Sequence, residues 1–541
     1  MRKFTLLLLS GLLACSTAGA QWNTTSKPVE FLSAEGQGDY YASDPVAART
    51  ADGKTWIAYK IWDSEQINDT TFSFKGVHTY VQLLDADGNK QFEDPGICLN
   101  PDYETPSWWS LYGMAVASDG SLLVGVSDSR SEILPDSITG GASGYSGGII
   151  SYSDYNSFQP SIYKIDQEGN FLWGLDGITF PDYQSAPFTQ IYVNGDDVYF
   201  QFTQIQSDSV TNVTEGTYVE RISPDGVPAW ETPKRRYGQI IPSEGSDILV
   251  FDAGSDGARC TRYTRDLDLD NPVWETTYDE NAYGGHDLIP YKVAADGEGG
   301  AAVAFVRNVG NFGHNIRVQH ISSDGEATFG LSGIDVYNSD EGDHDYCGIS
   351  VNQKNKEILV DWEDQLTTGY TVSIGKFNFD GDRPWGETGI QTDVKQSQSG
   401  YAWGRIGTGA LADSTWIVAY RSLSGWAKES IIVKRVDANG NQIWKKTIGR
   451  NIDVNDPTLM VEPDCTYLIW REGKDGQAGI DGIRISNSDG AYTGIKSVMS
   501  DNKAPRSIVA IYGANGTQLS SMQNGLNIVK YSDGTVEKVI K

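Results

Sequence analysis

The residues of this 541-residue chain that could do chemistry are aromatic and acidic, and they sit in the irregular stretches between strand-like runs. Tyr40, Tyr41, Trp108, Trp109, Tyr283, Tyr401, Trp403 and Trp426 fall there, with His286, Asp343 and His344 among them. Sugar rings present apolar C–H faces that stack on aromatic rings, while carboxylates and Asn bind hydroxyls. These residue types on one surface therefore suit a neutral glycan. Aromatic side chains are equally the anchors of protein interfaces. Together these residues form the candidate ligand-binding set, for a glycan or a protein partner. Trp108 and Trp109 have a second reading, as caps on an apolar core.

Glycan cleavage would need two carboxylates ~5 to 10 Å apart. Asp44, Asp102, Glu104, Asp287, Asp343 and Asp345 offer many pairs, so no catalytic residue is assigned. Arg307, Arg421 and Arg471 stand at strand ends without the other motifs of a carboxylate clamp. The acidic run Asp340 to Asp345 could offer oxygens to Ca²⁺ but lacks EF-hand spacing, and a solvated acidic loop is the plainer reading. His286, His314 and His344 show no H-x-x-x-H or H-E-x-x-H pattern. Calcium is the one cofactor left open, and no metal ligand is assigned.

What must position these residues is a repeat. VKRVDANGNQIW (Val433 to Trp444) returns as VQLLDADGNKQF from Val81, IYKIDQEGNFLW from Ile162, VERISPDGVPAW from Val219, VQHISSDGEATF from Val318 and IGKFNFDGDRPW from Ile374. A looser copy ends at Trp274 and a last one at Tyr492. Each is a strand, a tight D-x-x-G turn and an aromatic residue. A second pair of β-rich runs around a Gly, Asp or Asn turn precedes each copy, which gives two hairpins per repeat. The turn glycines recur at roughly 50 to 60 residues, the spacing of four-stranded propeller blades.

The expected fold is therefore all-β, one β-propeller over about residues 21–498. Eight blades is the direct count, seven the alternative, and a β-solenoid a third reading. Pro28 to Ser33 (PVEFLS) is expected to complete the last blade. With strands a to d running outward, the a–b and c–d turns share one face and are short, while the b–c and d–a connections share the other. That second face carries the candidate residues, as variable connections on a rigid scaffold often do.

Composition narrows the partners. A formal charge of −30 argues against nucleic acid and anionic lipid, and 60 glycines with 15 tryptophans describe a turn-rich β protein. Arg2 and Lys3, the apolar run Phe4 to Ala14 and Ala18-Gly19-Ala20 read as a signal peptide over residues 1–20. Leu12 to Cys15 also reads as a lipobox. No later run approaches the ~20 apolar residues of a membrane helix. Cys98, Cys260, Cys347 and Cys465 lie far apart and read as buried free thiols.

The D-x-x-G-x-x-W turns resemble repeats of quinoprotein-like propellers and, more distantly, the Asp-box turns of sialidases. In both families the motif is structural, which implies fold roles for Asp85, Asp166, Asp437, Trp173, Trp230, Trp385 and Trp444. After a linker at 499–506, residues 507–541 resemble the C-terminal sorting domain of type IX secretion cargo, on Tyr512 and Gly516, Gly525 to Val529, Asp533-Gly534-Thr535 and Lys538-Val539. That resemblance implies a secreted or surface-attached protein of a Gram-negative bacterium.

These readings converge on a monomeric, secreted or surface-held propeller acting as a binding module. A propeller glycoside hydrolase or lyase and a structural scaffold of a surface complex are the alternatives.

Overall fold

The computed structural model describes residues 22, 28–32, 41–68, 71–99, 113–128, 159–183, 185–204, 213–254, 257–280, 292–309, 313–337, 343–366, 369–392, 404–423, 429–452, 454–474, 477–493, 508–513, 517–524, 526–531 and 536–540. Every regular element among them is a strand.

After β1 (Val29–Leu32) the chain lays down seven consecutive four-stranded antiparallel meanders. Blade 1 holds β2 (Tyr41–Arg49), β3 (Thr55–Asn68), β4 (Thr71–Leu84) and β5 (Ile97–Cys98), and blade 2 holds β6 (Met114–Val116), β7 (Leu122–Asp128), β8 (Gln159–Ile165) and β9 (Ile178–Thr179). Blade 3 has β10 (Ser185–Asn194), β11 (Asp197–Gln204), β12 (Gly216–Ile222) and β13 (Lys234–Arg235); blade 4 has β14 (Gln239–Pro242), β15 (Ile248–Gly254), β16 (Gly257–Tyr263) and β17 (Trp274–Asp279). Blade 5 follows with β18 (Lys292–Ala295), β19 (Ala301–Val309), β20 (Gly313–Ile321) and β21 (Ile334–Asp335), and blade 6 with β22 (Asp343–Asn352), β23 (Glu357–Leu366), β24 (Gly369–Asn378) and β25 (Ile390–Gln391). Blade 7 comprises β26 (Arg405–Ala410), β27 (Trp416–Leu423), β28 (Glu429–Val436) and β29 (Gln442–Ile452).

Blade 8 is assembled from both ends of the propeller. β30 (Val454–Val461), β31 (Cys465–Lys474) and β32 (Gln477–Ser486) supply three strands, and β1 pairs antiparallel with β32 as the fourth. The expected closing segment at Pro28 to Ser33 does this work. The innermost strands touch in a closed circuit, β2 to β6, β10, β14, β18, β22, β26, β30 and back to β2. Eight blades are thus present. One bridge, Tyr41 to Ala478, joins blades 1 and 8 at the closure.

The second strand of each blade is apolar on both faces because each face meets a different neighbour. On β7, Leu122, Val124 and Val126 pack with Trp56, Ala58, Val81 and Leu83 of blade 1. Leu123, pointing the other way, packs with Phe200 and Phe202 of blade 3. Strand alternation therefore builds interblade cores rather than one central core.

The turn residues behave as the repeat implies. Asp85 Oδ1 accepts the N–H groups of Asp87 (2.9 Å) and Asn89 (2.8 Å), and Asp166 and Asp437 do the same in their turns. In most copies the aromatic residue lies on the turn of the next blade. Trp173 Nε1 donates to Pro224 O, Trp274 Nε1 to Ser323 O and Trp385 Nε1 to Ala438 O, all at 3.0 Å. In the looser fourth copy Leu267 stands where glycine is usual, buried at φ 46°, and Trp230 packs on its cluster.

The four cysteines among the described residues are free thiols; Cys260 and Cys347 are buried, while Cys98 and Cys465 are half-buried, which corrects the expectation for that pair. Burial pushes the Cys347 thiol up to about 12.

Residues 495–541 form a separate compact unit. Its strands β33 (Ile508–Gly513), β34 (Gln518–Leu519), β35 (Leu526–Tyr531) and β36 (Val536–Ile540) make one sheet in the order β34-β33-β35-β36. Among its described residues, Val529 is buried and apolar.

Candidate functional site

The a–b turns and D-x-x-G turns are tight on one face, and the opposite face receives the connections in which the candidates were placed. Those connections differ among themselves. Residues 129–158, 99–113, 205–215, 280–291 and 392–404 separate strands widely, whereas β3 and β4, β15 and β16, β23 and β24, and β31 and β32 run on to close hairpins. Those four blades lengthen their strands instead.

Tyr40, Trp108, Trp109, Tyr283, His286, Tyr401, Trp403 and Trp426 lie outside the described residues. Three candidates do not lie in connections. Tyr41 is the first residue of β2 and pairs with Trp62, and Asp343 and His344 open β22, paired with Gln365 and Asp364. The inner strands start earlier than the sequence suggests because an irregularity, at Ser43/Val46 in β2 and at Asp345/Gly348 in β22, breaks the alternation without ending the ladder. Asp340 to Gly342 of the acidic run lie outside the described residues.

Beneath that face the structure gathers charged residues that the sequence reading did not single out. At blades 6 and 7, Arg405 Nε donates to Asp361, whose other oxygen accepts the Thr408 hydroxyl at 3.2 Å. Gly348 makes room for this pair; a Cβ there would lie 2.8 Å from Arg405 Cζ. Glu363 Oε1 accepts the Arg405 backbone N–H at 2.8 Å. Arg421 lies 3.5 Å from Glu429 Oε2 and donates to Val454 O of blade 8 at 2.8 Å. Asp252 of blade 4 is held between Arg236 (2.8 Å) and Arg259 (3.2 Å), and Lys60 lies 3.5 Å from Asp44 in blade 1.

A sequence signal for these existed. The apolar run of the second strand ends in a charge in WIAYK, ILVFD, ILVD, WIVAYR and YLIWR, at Lys60, Asp252, Asp361, Arg421 and Arg471. A charge at the end of a run buried on both faces must find a partner, which the neighbouring blade supplies to Asp361 and the first strand of the same blade supplies to Lys60.

Glu363 stands apart electrostatically. Burial pushes its carboxyl up to about 7, against the opposing pull of backbone N–H groups and of Arg405 and Arg421. It can therefore hold a proton near neutral pH, whereas Asp361, bonded to Arg405, is an acceptor. Carboxyls whose surroundings differ in this way can serve as general acid and base.

The opposite face has a cleft of about 520 Å³ between the turns of blades 1 and 2, lined by Asp52, Asp119, Asp166, Glu168 and Gln167 among others. Its polar groups serve the turns: Asp119 bonds Ser121 N–H and pairs with Lys164 at 2.9 Å, and Gln167 bonds Lys54 and Asp52. It is a cleft of the scaffold, remote from the candidate face. Among the described residues, no group of three or more His, Cys, Asp or Glu side chains is arranged to hold a metal, and no helix is long and apolar enough to cross a membrane.

No protein-family profile and no curated protein sequence matches the chain. Solved structures do resemble it. Prolyl oligopeptidase B from Galerina marginata is 12% identical with a TM-score of 0.38 over 79% of this chain and 55% of its own, so this chain spans about half that protein's length. The β-propeller domain of the Trilobed protease from Pyrococcus furiosus is 9% identical with a TM-score of 0.36, over 83% of this chain and 98% of that one. Polysaccharide lyase Uly1 is 10% identical with a TM-score of 0.38, over 87% and 100%. No activity is taken from likeness at this level.

Proposed function

We propose that this protein is a secreted or surface-held β-propeller that binds a glycan or a protein partner on the face opposite its D-x-x-G turns. The observation that supports this reading is the asymmetry of the ring. On one face the D-x-x-G turns are tied by their own Asp, Asn or Ser side chains and many are covered by an aromatic residue of the neighbouring blade. The other face receives the connections between strands, and the sequence of those connections, outside the described residues, contains Trp108, Trp109, Tyr283, Tyr401, Trp403 and Trp426. A closed ring of eight blades is a fixed scaffold for that face, and aromatic side chains, with few rotatable bonds, bind with little loss of side-chain freedom.

The separate sheet of residues 508–540 supports reading the tail as a sorting domain of the type IX kind. The N-terminal charge and apolar pattern supports export. A glycan-array screen of the full chain, with and without Ca²⁺, tests the binding function; binding of a defined glycan class supports it, and no hit directs the search to protein partners.

A second reading, a glycan-cleaving enzyme, is favoured by Glu363. A buried carboxyl pushed up to about 7, beside Asp361 and its bond from Arg405, has the properties of a general acid. Every glycan that binds is to be assayed for cleavage. Turnover that Glu363→Gln abolishes supports the enzyme, and binding without turnover leaves the module.

A further inference from the structure

Gln82 in blade 1 and Gln319 in blade 5 occupy the same place, two residues before the end of the third strand. Gln82 Oε1 accepts the N–H of Leu83 (3.0 Å) and of Phe92 (3.1 Å), and its Nε2 donates to Phe92 O (3.0 Å). Gln319 repeats the pattern with His320 N–H (3.0 Å), Phe329 N–H (3.0 Å) and Gly330 O (2.6 Å). The primary amide thus ties its strand to the segment that returns after the D-x-x-G turn, accepting through oxygen and donating through nitrogen.

Blade 3 has glutamate at that place. Glu220 Oε1 accepts the N–H of Arg221 (3.1 Å), Ala229 (3.0 Å) and Trp230 (3.1 Å), which are the bonds expected of the glutamine oxygen. Glu220 Oε2 is buried and receives no hydrogen bond. The carbonyls of Trp230 and Glu231 stand at the sequence positions matching Phe92 O and Gly330 O. An ionised carboxylate has no donor for either of them, and a buried lone pair without a donor is costly. A protonated carboxyl has the one hydrogen that restores the glutamine pattern.

We infer that Glu220 is held as a neutral carboxylic acid standing in for glutamine, so that blade 3 carries a proton-dependent tie between its third strand and the return after its D-x-x-G turn. The surroundings favour this. Across the ladder lies Phe200 on β11. From blade 2 comes the buried phenol of Tyr183, itself neutral because burial and nearby Tyr218, Asp182 and Glu220 push it up to about 12. Arg221 is engaged by Asp197 (3.0 Å) and Asp266 (2.8 Å). On β13, Lys234 donates to the carbonyls of Asp266 and Leu267, and Arg235 to Glu215 O. No cation therefore closes on Oε2. Burial pushes the Glu220 carboxyl up to about 7, against the three amides and Arg221.

The sign follows from linkage. The folded protein holds this proton more tightly than the unfolded chain, so the tie is intact at acid pH and weakens as pH rises from the ordinary carboxyl range through about 7. Glu220→Gln fixes the donor permanently. In full-length protein, the thermal midpoint of E220Q should match the wild type near about pH 5 and exceed it by a few degrees near about pH 8. Because each comparison is between variant and wild type at one pH, slopes due to distant carboxyls such as Glu363 cancel.

A second readout does not depend on unfolding. The infrared difference between wild type and E220Q near about pH 5.5 should contain a protonated-carboxyl C=O band that disappears near about pH 9. A difference in midpoint that is the same at both pH values, or no such band at the lower pH, would overturn the inference.

Discussion

The indole of Trp22 lies on Gly88: a Cβ on that glycine would fall 2.9 Å from Trp22 Cδ1 and 2.8 Å from its backbone nitrogen. Trp22 N–H donates to Asp87 O at 3.0 Å, and the ring is buried against Phe31 and Tyr467 at centroid distances of 5.1 and 5.3 Å. This is the contact that Trp173 makes with Gly226, Trp274 with Gly325 and Trp444 with Gly490. Blade 8 has no tryptophan of its own after its turn, and Trp22, upstream of β1, supplies the contact. The circuit of aromatic-on-turn contacts is closed by the N-terminal segment. The one variation is Trp22 Nε1, which is unbonded, while the Ala86 carbonyl beneath it receives Arg484 at 2.8 Å.

Replacing Trp22 by alanine should therefore open the ring at its closure. The expected loss is about 3 to 5 kcal/mol, that of deleting a large buried aromatic. Gly88→Ala should be comparably harmful, because φ is 87° and the added carbon meets the indole. Chemical denaturation of the two variants checks this; wild-type stability in both would contradict the closure.

Asp361→Asn should leave the Arg405 guanidinium largely buried without its counter-charge, at a cost of about 3 to 5 kcal/mol. Gly348→Ala should act on the same pair by displacing Arg405. The double variant should lose less than the sum of the two, since both break one interaction. A double-mutant cycle by urea denaturation measures it, and strict additivity would show that the two changes act separately.

Asp296 predicts the acid limb of stability. Burial would raise its carboxyl, but the bond from His320 and the N–H groups of Glu298 and Gly300 outweigh it and hold it below the ordinary 3.8. A carboxyl lowered in the folded state contributes stability above its unfolded pKa and loses it as pH falls through the folded value. Thermal midpoints of Asp296→Asn should lie below the wild type at neutral pH and converge with it below about pH 3. A gap that stays constant into acid would contradict this.

Removing residues 507–541 should leave the propeller's thermal midpoint unchanged, because the tail is a compact unit of its own. On the sorting reading the truncated protein should no longer reach the cell surface. Normal surface display without the tail would contradict that reading.

Much of the fold was legible because the repeat carries its own physics. An Asp that bonds two turn amides, a glycine at positive φ and an aromatic residue at fixed distance leave a pattern that recurs through the blades, and PVEFLS was readable as the closing strand. Trp22 was not, since nothing near it in sequence announces that it serves a turn whose glycine is Gly88. Leu267 hid the fourth turn by occupying the glycine position at φ 46°. The Glu363, Asp361 and Arg405 group was illegible for a related reason: residues 42 and 44 apart meet only because adjacent blades do. Tyr41, Asp343 and His344 were read as loop residues because irregularities at the starts of β2 and β22 mask the strand alternation.

The most direct test of the binding face is a comparison of two variants in one binding assay, using a glycan or protein identified with the full chain. Trp108→Ala/Trp403→Ala changes the candidate face, and Leu172→Ala/Val227→Ala changes exposed residues beside the D-x-x-G turns. Loss of affinity of at least about tenfold in the first, about 1.4 kcal/mol, with none in the second and both folded, is the predicted result. Unchanged affinity in the first, or loss in the second alone, would contradict the assignment of the face.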